Sequence, residues 1–365
     1  MARHSGDIVA RNWNLDLVNA KKAMNYLKRE LGEINWSGVE VAQIDTGYTE
    51  HPVFGDFSST TNILWQAGKN YQDEHMNSLP VDPMNYDGLL QSAGHGTEIA
   101  SVICGHATRG KFDGGACPGL PLIPYRATNS VILGFPASSN RERTNVAKSI
   151  RHAIDRNEAD IINICLGSAG LSFAFGSRNL GKAVDYAYDN GVIICAAAGQ
   201  GTDLVTYPGK FFRTIGCGAV NPDRSIWNTK GQGYHEFEMI HIDVWGPGSN
   251  INIPTIGFDS NHELITDLYE QKASGTSYAT AHVTAAAAMW LARHGTEIDR
   301  LYGHQKWMRV EAFRYLLKAS AQSLRADQQS HPGTGILDIK ALLTAELPSP
   351  HLLKYEDRLA VNMYN

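Results

Sequence analysis

Charge of either sign is in short supply, at 19% of residues, and no run of Lys and Arg is long enough to neutralise a row of phosphates. With 32 Lys and Arg against 37 Asp and Glu, the formal net charge is -5, which excludes a nucleic-acid partner. Long hydrophobic runs are also missing. The longest weakly polar stretch, Val283 to Ala292, is too short to span a bilayer, and the first residues, MARHSGDIVARNWNLD, hold no apolar core of a secretory signal. The expectation is a soluble protein with no membrane partner. Cysteine is scarce and unpaired in pattern: Cys104, Cys117, Cys165, Cys195 and Cys217 are odd in number, widely spaced and without a C-x-x-C pair. They read as small apolar core residues in a reducing, cytoplasmic compartment, the alternative being export by a route without a cleavable signal.

What is present is apolar material and glycine. Hydrophobic residues make up 43% of 365, which excludes collagen-like, disordered and coiled-coil classes, and 35 glycines exceed the usual share of about 7%. Short runs apolar on both faces recur at 39 to 45, 160 to 167, 191 to 199 and 213 to 220, the pattern of buried parallel strands. Helix-period segments lie between them, at 145 to 157 and 180 to 190, and an opening helix is predicted over 15 to 31, ending at Gly32. Strands alternating with helices of this length predict an α/β fold, a doubly wound, mostly parallel twisted sheet flanked by helices. One domain from residue 10 to 345 fits, with 346 to 365 as a tail. Segments 55 to 92 and 228 to 272 interrupt the rhythm and read as surface excursions.

Three strings carry chemistry. Asp45-Thr46-Gly47 stands at the carboxyl end of an apolar strand, where open α/β sheets gather ligands and catalytic groups. Gly94-His95-Gly96-Thr97 opens a helix with a histidine between glycines, a place that packing does not explain. Ser274-Gly275-Thr276-Ser277 leads into an alanine-rich helix, so that first-turn N–H groups and the positive dipole end lie beside the Ser277 hydroxyl. Each string alone has a plain structural reading: a turn cap, a surface histidine, an N-cap serine. Together, Asp, His and Ser in that order, 50 and 182 residues apart, match one of the known chain orders of the Asp-His-Ser triad.

On these strings, and on ADIINICLGS, GVIICAAAGQ, YPGKFFRTIGCGAV, DVWGPGSNI and HPGTGILDIKALL, the sequence resembles the subtilisin-like serine peptidases over most of its length. A G-x-S-x-G elbow of the α/β-hydrolase kind is broken by Ala279. The resemblance implies a serine endopeptidase acting on extended peptide or protein substrates through an acyl-enzyme. In it Ser277 is the nucleophile, His95 the base and then the acid, and Asp45 the group that orients the imidazole. It further implies that Cys165, Leu166 and Gly167 on one side, and Ala197, Ala198 and Gly199 on the other, flank the substrate, with Gly201 and Thr206 at the rim and base of the first pocket. Gln200 stands where the resemblance expects an Asn as side-chain oxyanion donor, Ala281 where it expects Pro, and Cys165 where it expects Ser.

The resemblance also carries a calcium site, which this sequence does not match. The loop HATRGKFDGG is short and poor in carboxylates, and Val53 stands where a ligand Asp is expected, so the usual site is missing and the expectation is no cofactor and no metal. An alternative calcium site drawn from Asp56, Asp73, Glu74, Asp82 and Asp87 stays open beside the plainer reading, a solvated acidic loop. The family's mature start falls near Asn12 and no propeptide is recognisable, so narrow specificity or a regulatory or inhibitory protein partner is expected. Two other readings share the same residues: a peptide-cyclising transamidase, and a catalytically weak peptide-binding module, the latter motivated by Gln200.

Overall fold

Buried strands that are apolar on both faces need helices on both sides, and the chain supplies them. The computed structural model describes residues 10–73, 79–86, 91–133, 139–167, 177–200, 205–227, 242–328 and 333–363. Strands β1 (Val41–Asp45), β2 (Lys69–Asn70), β3 (Ile123–Arg126), β4 (Ile161–Ile164), β5 (Ile193–Ala197), β6 (Ile215–Val220) and β7 (Val244–Pro247) form one sheet in the order β2-β3-β1-β4-β5-β6-β7. Every pairing in it is parallel. Helices α1 (Trp13–Leu17), α2 (Ala20–Leu31), α3 (His95–Cys104), α4 (Ser139–Asn157), α5 (Ser177–Asp189), α6 (Thr276–Tyr302), α7 (Trp307–Ala319) and α8 (Ile339–Thr344) surround it, and β8 (Ile251–Phe258) pairs antiparallel with β9 (Leu264–Ala273) as a separate hairpin. The fold is the α/β, mostly parallel arrangement predicted from the sequence.

Side chains alternate between two core layers, as a strand's two-residue period requires. Val41 and Ile161 join the layer that contains α3 and α6, whereas Ala42, Ile44, Ile162 and Ile164 join the layer under α4 and α5. Each such fully buried Ile or Val contributes roughly 1.5 to 3 kcal/mol relative to exposure. On the first layer, Ala285 to Ala288 of α6 are fully buried, and their small side chains let the helix lie close to the sheet. A buried bond from Asn163 Nδ2 to Thr284 Oγ1, 2.8 Å, pins α6 over β4. This sets the first turn of α6 above the carboxyl end of that strand.

Three expectations are corrected. The opening helix is broken into α1 and α2 at Asn19, which adopts φ 55 while its side chain donates to Asp338 Oδ2 at 2.9 Å and Ile339 N–H donates to Val18 O. Asparagine tolerates the left-handed conformation, and the partner that rewards it lies some three hundred residues away. Segment 55 to 92 is not wholly a surface excursion, because β2 forms the sheet's edge and Asn62, Ile63, Asp82 and Met84 are buried. Segment 228 to 272 holds a buried sheet strand, β7, and the hairpin; residues 228–241 lie outside the described residues. The last stretch docks on the body through Ala360 and Val361 N–H donating to the Asp185 carboxylate and Arg213 donating to Glu356 O.

Candidate active site

The carboxyl ends of β1, β4 and β5 lie side by side, and each leads into one of the strings singled out by sequence. Asp45 ends β1 with its side chain 1% exposed. Its Oδ1 lies 2.7 Å from His95 Nδ1 and accepts the Thr46 N–H at 2.8 Å. Glycines make that approach achievable. A Cβ on Gly96 would run into the Gly47 carbonyl, and Gly94, at φ 81, takes a turn that L side chains rarely adopt. The histidine is then locked from below. Gly96 N–H donates to Thr46 Oγ1 at 3.1 Å, Gln43 Nε2 donates to Gly96 O at 2.6 Å, and buried Asp82 accepts from Gly94 N–H, Met84 N–H and Tyr86.

The imidazole, 14% exposed, feels opposing influences. Burial alone would lower its pKa, but the neighbouring charges of Asp45, Glu98 and Asp82 outweigh it, and the net direction is upward. The ring is held in a place that favours its cation. Across the cleft, Ser277 sits in the first turn of α6, where the leading N–H groups lack intrahelical acceptors. Its Oγ donates to Cys165 O at 3.4 Å, and no hydrogen bond joins it to His95 among the described residues. Bonds between such groups are commonly long or misaligned without substrate and tighten when it binds.

Gln200 follows β5 and reaches the same helix end, its Oε1 accepting the Thr276 N–H at 3.4 Å. Its amide nitrogen has no partner among the described residues. Thr276 Oγ1 ties the Gly199 backbone to α6, accepting its N–H at 3.2 Å. Asp45, His95, Ser277 and Gln200 thus meet at one end of the sheet, carried by four separate stretches of chain.

The sequence profile of the Subtilase family matches residues 37–336. The chain belongs to the subtilase family. It is a serine endopeptidase of the subtilisin type. Among its relatives are Subtilisin Savinase of Lederbergia lenta, 28% identical over 281 residues that cover 76% of this chain and 82% of that one, and the Alkaline protease of Shouchella clausii, 28% identical over 281 residues and 58% of its length. Similar solved structures include MycP1 from the ESX-1 type VII secretion system, with TM-score 0.65 and 18% identity over 95% of this chain and 90% of that one. The MycP3 protease from the type VII (ESX-3) secretion system follows with TM-score 0.64 and 21% identity over 94% and 90%. At those identities the structures speak for the fold alone.

In this subtilase the segments that the sequence reading expects to flank a substrate are adjacent, and one of them is already engaged. Gly167 N–H donates to Val131 O at 2.8 Å and Gly167 O accepts Leu133 N–H at 2.7 Å, so the chain's own residues Val131 to Leu133 occupy that edge. An extended peptide that pairs with Gly167 must first displace them. Leu166 and Ala198 are fully buried and offer only backbone. Thr206 stands between the two segments: its N–H donates to Ala198 O at 2.8 Å, and a Cβ on either Gly167 or Gly199 would collide with its side chain. Gly201 lies outside the described residues. Cys165 is buried, which pushes its thiol well above the ordinary range, so it acts as a neutral donor to Asn163 Oδ1 and Ser277 O at 3.3 and 3.4 Å.

The residues at the family's calcium position do not fit that ion. Val53 is buried and apolar, and the one carboxylate of the loop, Asp113, pairs with Arg11 at 2.7 Å. Asp56 accepts from Ser58 and Ser59, Asp73 pairs with Arg126, and Asp82 serves the histidine turn. Glu74 and Asp87 lie outside the described residues. Among the described residues, no three His, Cys, Asp or Glu side chains are grouped to hold a metal, and no helix is long and apolar enough to cross a membrane. Sequence reading missed Glu98, Tyr278 and Thr255, which join α3, α6 and the hairpin; the acidic residue one turn after His95 was their only local signal.

Proposed function

We propose that this subtilase hydrolyses extended peptides through an acyl-enzyme on Ser277. His95 takes the serine proton and later returns it to the leaving amine; Asp45 fixes the tautomer so that Nε2 faces the serine, and supports the imidazolium. The observation that carries this reading is the 2.7 Å contact of buried Asp45 with His95 at the sheet end that also holds the first turn of α6. The oxyanion is met by the Ser277 N–H, strengthened by the helix dipole, and by the Gln200 amide nitrogen. That nitrogen is available because the other end of the amide is committed to Thr276. Gln200→Ala is therefore expected to lower kcat by about 10² to 10³-fold with KM little changed, since the donor acts on charge that develops in the transition state. An unaltered kcat would remove Gln200 from the reaction.

The first substrate pocket, between Cys165 to Gly167 and Ala197 to Gly199, has Thr206 at its base. Because the Thr206 side chain fills the space beside both glycines, the pocket suits a small P1 residue. The test is a set of peptides varied only at P1, with products read by mass spectrometry. Hydrolysed fragments from Ala and Ser at P1 are expected. Thr206→Ala should raise kcat/KM for Leu relative to Ala by about 10-fold or more, the scale of one or two methylene-sized contacts. Cyclic or ligated products would mean that an amine rather than water takes the acyl group, and a Leu preference in the parent enzyme would overturn the role given to Thr206.

A further inference from the structure

One turn after His95, the Glu98 carboxylate is shared between two elements distant in sequence. Oε1 accepts Thr255 Oγ1–H of β8 at 2.7 Å, and Oε2 accepts the Tyr278 hydroxyl of α6 at 3.4 Å. Glu98 therefore bridges the histidine helix, the residue next to Ser277, and the hairpin that packs on α3. Neither Thr255 nor Tyr278 is a cation, so the negative charge is oriented by two hydroxyls, and no Lys or Arg pairs with it among the described residues. A carboxylate so placed is poorly explained as a structural tie, because a neutral amide would bridge hydroxyls as well at lower desolvation cost. What its charge can act on is the imidazolium of His95.

We propose that Glu98 is a positioning residue of the peptidase: a second carboxylate, held by Thr255 and Tyr278 one helical turn after His95, that supports the protonated state of that imidazole alongside Asp45. The inference rests on the reading of Asp45, His95 and Ser277 as the reacting groups. Protonated His95 forms twice per turnover in that reading, when the serine attacks and again when water does, so a fixed negative charge one helical turn away favours both steps. The groups facing His95 are Asp45 from β1, Asp82 from the preceding loop and Glu98 from its own helix. Those facing Glu98 are His95, Thr255 of β8, Tyr278 of α6 and Glu270 of β9. Burial and Glu270 raise the Glu98 pKa while Thr255, His95 and Tyr278 oppose them, the net direction being upward. The charge thus depends on its hydroxyl partners.

The test is the pH dependence of Ser277 acylation by a fluorophosphonate, which needs no knowledge of the substrate. Acylation rises with pH as His95 loses its proton. E98Q keeps the shape and the bridge but removes the charge, so its acidic limb is expected to move to lower pH by about one unit, the lower end of what a single nearby opposite charge supplies. E98D retains the charge and is expected to keep the limb near that of the parent. Y278F and T255V each remove one hydroxyl that holds the charge, so their limbs are expected to move in the same direction as that of E98Q and by less; limbs that stay with the parent in both would overturn the part given to the hydroxyls. Coincident limbs for the parent and E98Q would overturn the proposal while leaving the triad intact. Should E98Q not fold, a limb for E98D displaced downward as far as for E98A would overturn it equally. Absence of labelling at Ser277 in the parent protein would instead refute the triad reading, and the proposal with it.

Discussion

Replacing Ser277 by Ala is expected to lower kcat for peptide hydrolysis by about six orders of magnitude, the scale established for the triad of subtilisin, a relative of this chain. In the proposed mechanism the serine, histidine and aspartate act as one unit, so that without the hydroxyl no acyl-enzyme forms and only the oxyanion donors and substrate binding remain. The folded protein should hardly notice. Among the described residues Ser277 Oγ makes one long bond, 3.4 Å to Cys165 O, so its removal frees little. Equal melting temperatures with a kcat that differs by several orders of magnitude would separate chemistry from folding. A Ser277→Ala enzyme that retained more than a hundredth of the parent rate would place the nucleophile elsewhere.

Asp45→Asn carries the second largest expectation, a fall in kcat of about 10⁴-fold. An asparagine is nearly isosteric, but its amide NH₂ can face Nδ1, which turns the imidazole to the tautomer whose Nε2 bears a proton and cannot take one from the serine. The charge matters as well. Burial would lower the His95 pKa, and the Asp45 carboxylate is the largest of the opposing influences that carry it above the ordinary histidine value of 6.5. The parent enzyme should therefore show an acidic limb of kcat/KM with a midpoint above 6.5, and Asp45→Asn should move that limb downward. The stability linkage has the opposite sense. A histidine whose folded pKa is raised contributes stability that is complete below its unfolded pKa and is lost as pH climbs through the folded value, so the pH range in which His95 can act as base is the one in which its contribution fades. A parent limb with a midpoint well below 6.5 would contradict this account of the site.

Strands β4, β5 and β6 are legible in the sequence because both their faces are buried, which leaves runs such as DIINICLG with no polar alternation to blur them. The motif at His95 is legible for a steric reason: Gly94 and Gly96 are placed where the backbone turns or must touch Gly47, and few other structures ask for that spacing. By contrast β7 is four residues long, contains Gly and Pro, and draws its burial from β6 beside it. Nothing in VWGP announces a strand. The break at Asn19 is invisible for a related reason, since its partner Asp338 is contributed from the far end of the chain. Glu98 escaped notice because its meaning comes from Thr255 and Tyr278, neither of them near it in sequence. The self-pairing of Gly167 with Val131 to Leu133 depends likewise on a loop path that periodicity does not encode.

The most direct test of the central claim is reaction of the full chain with a fluorophosphonate followed by peptide mapping. Label confined to Ser277, and suppressed in His95→Ala, is the predicted result, because attack on phosphorus needs the same proton transfer to His95 as attack on a peptide carbonyl. Equal labelling of the parent and Ser277→Ala proteins would contradict the assignment.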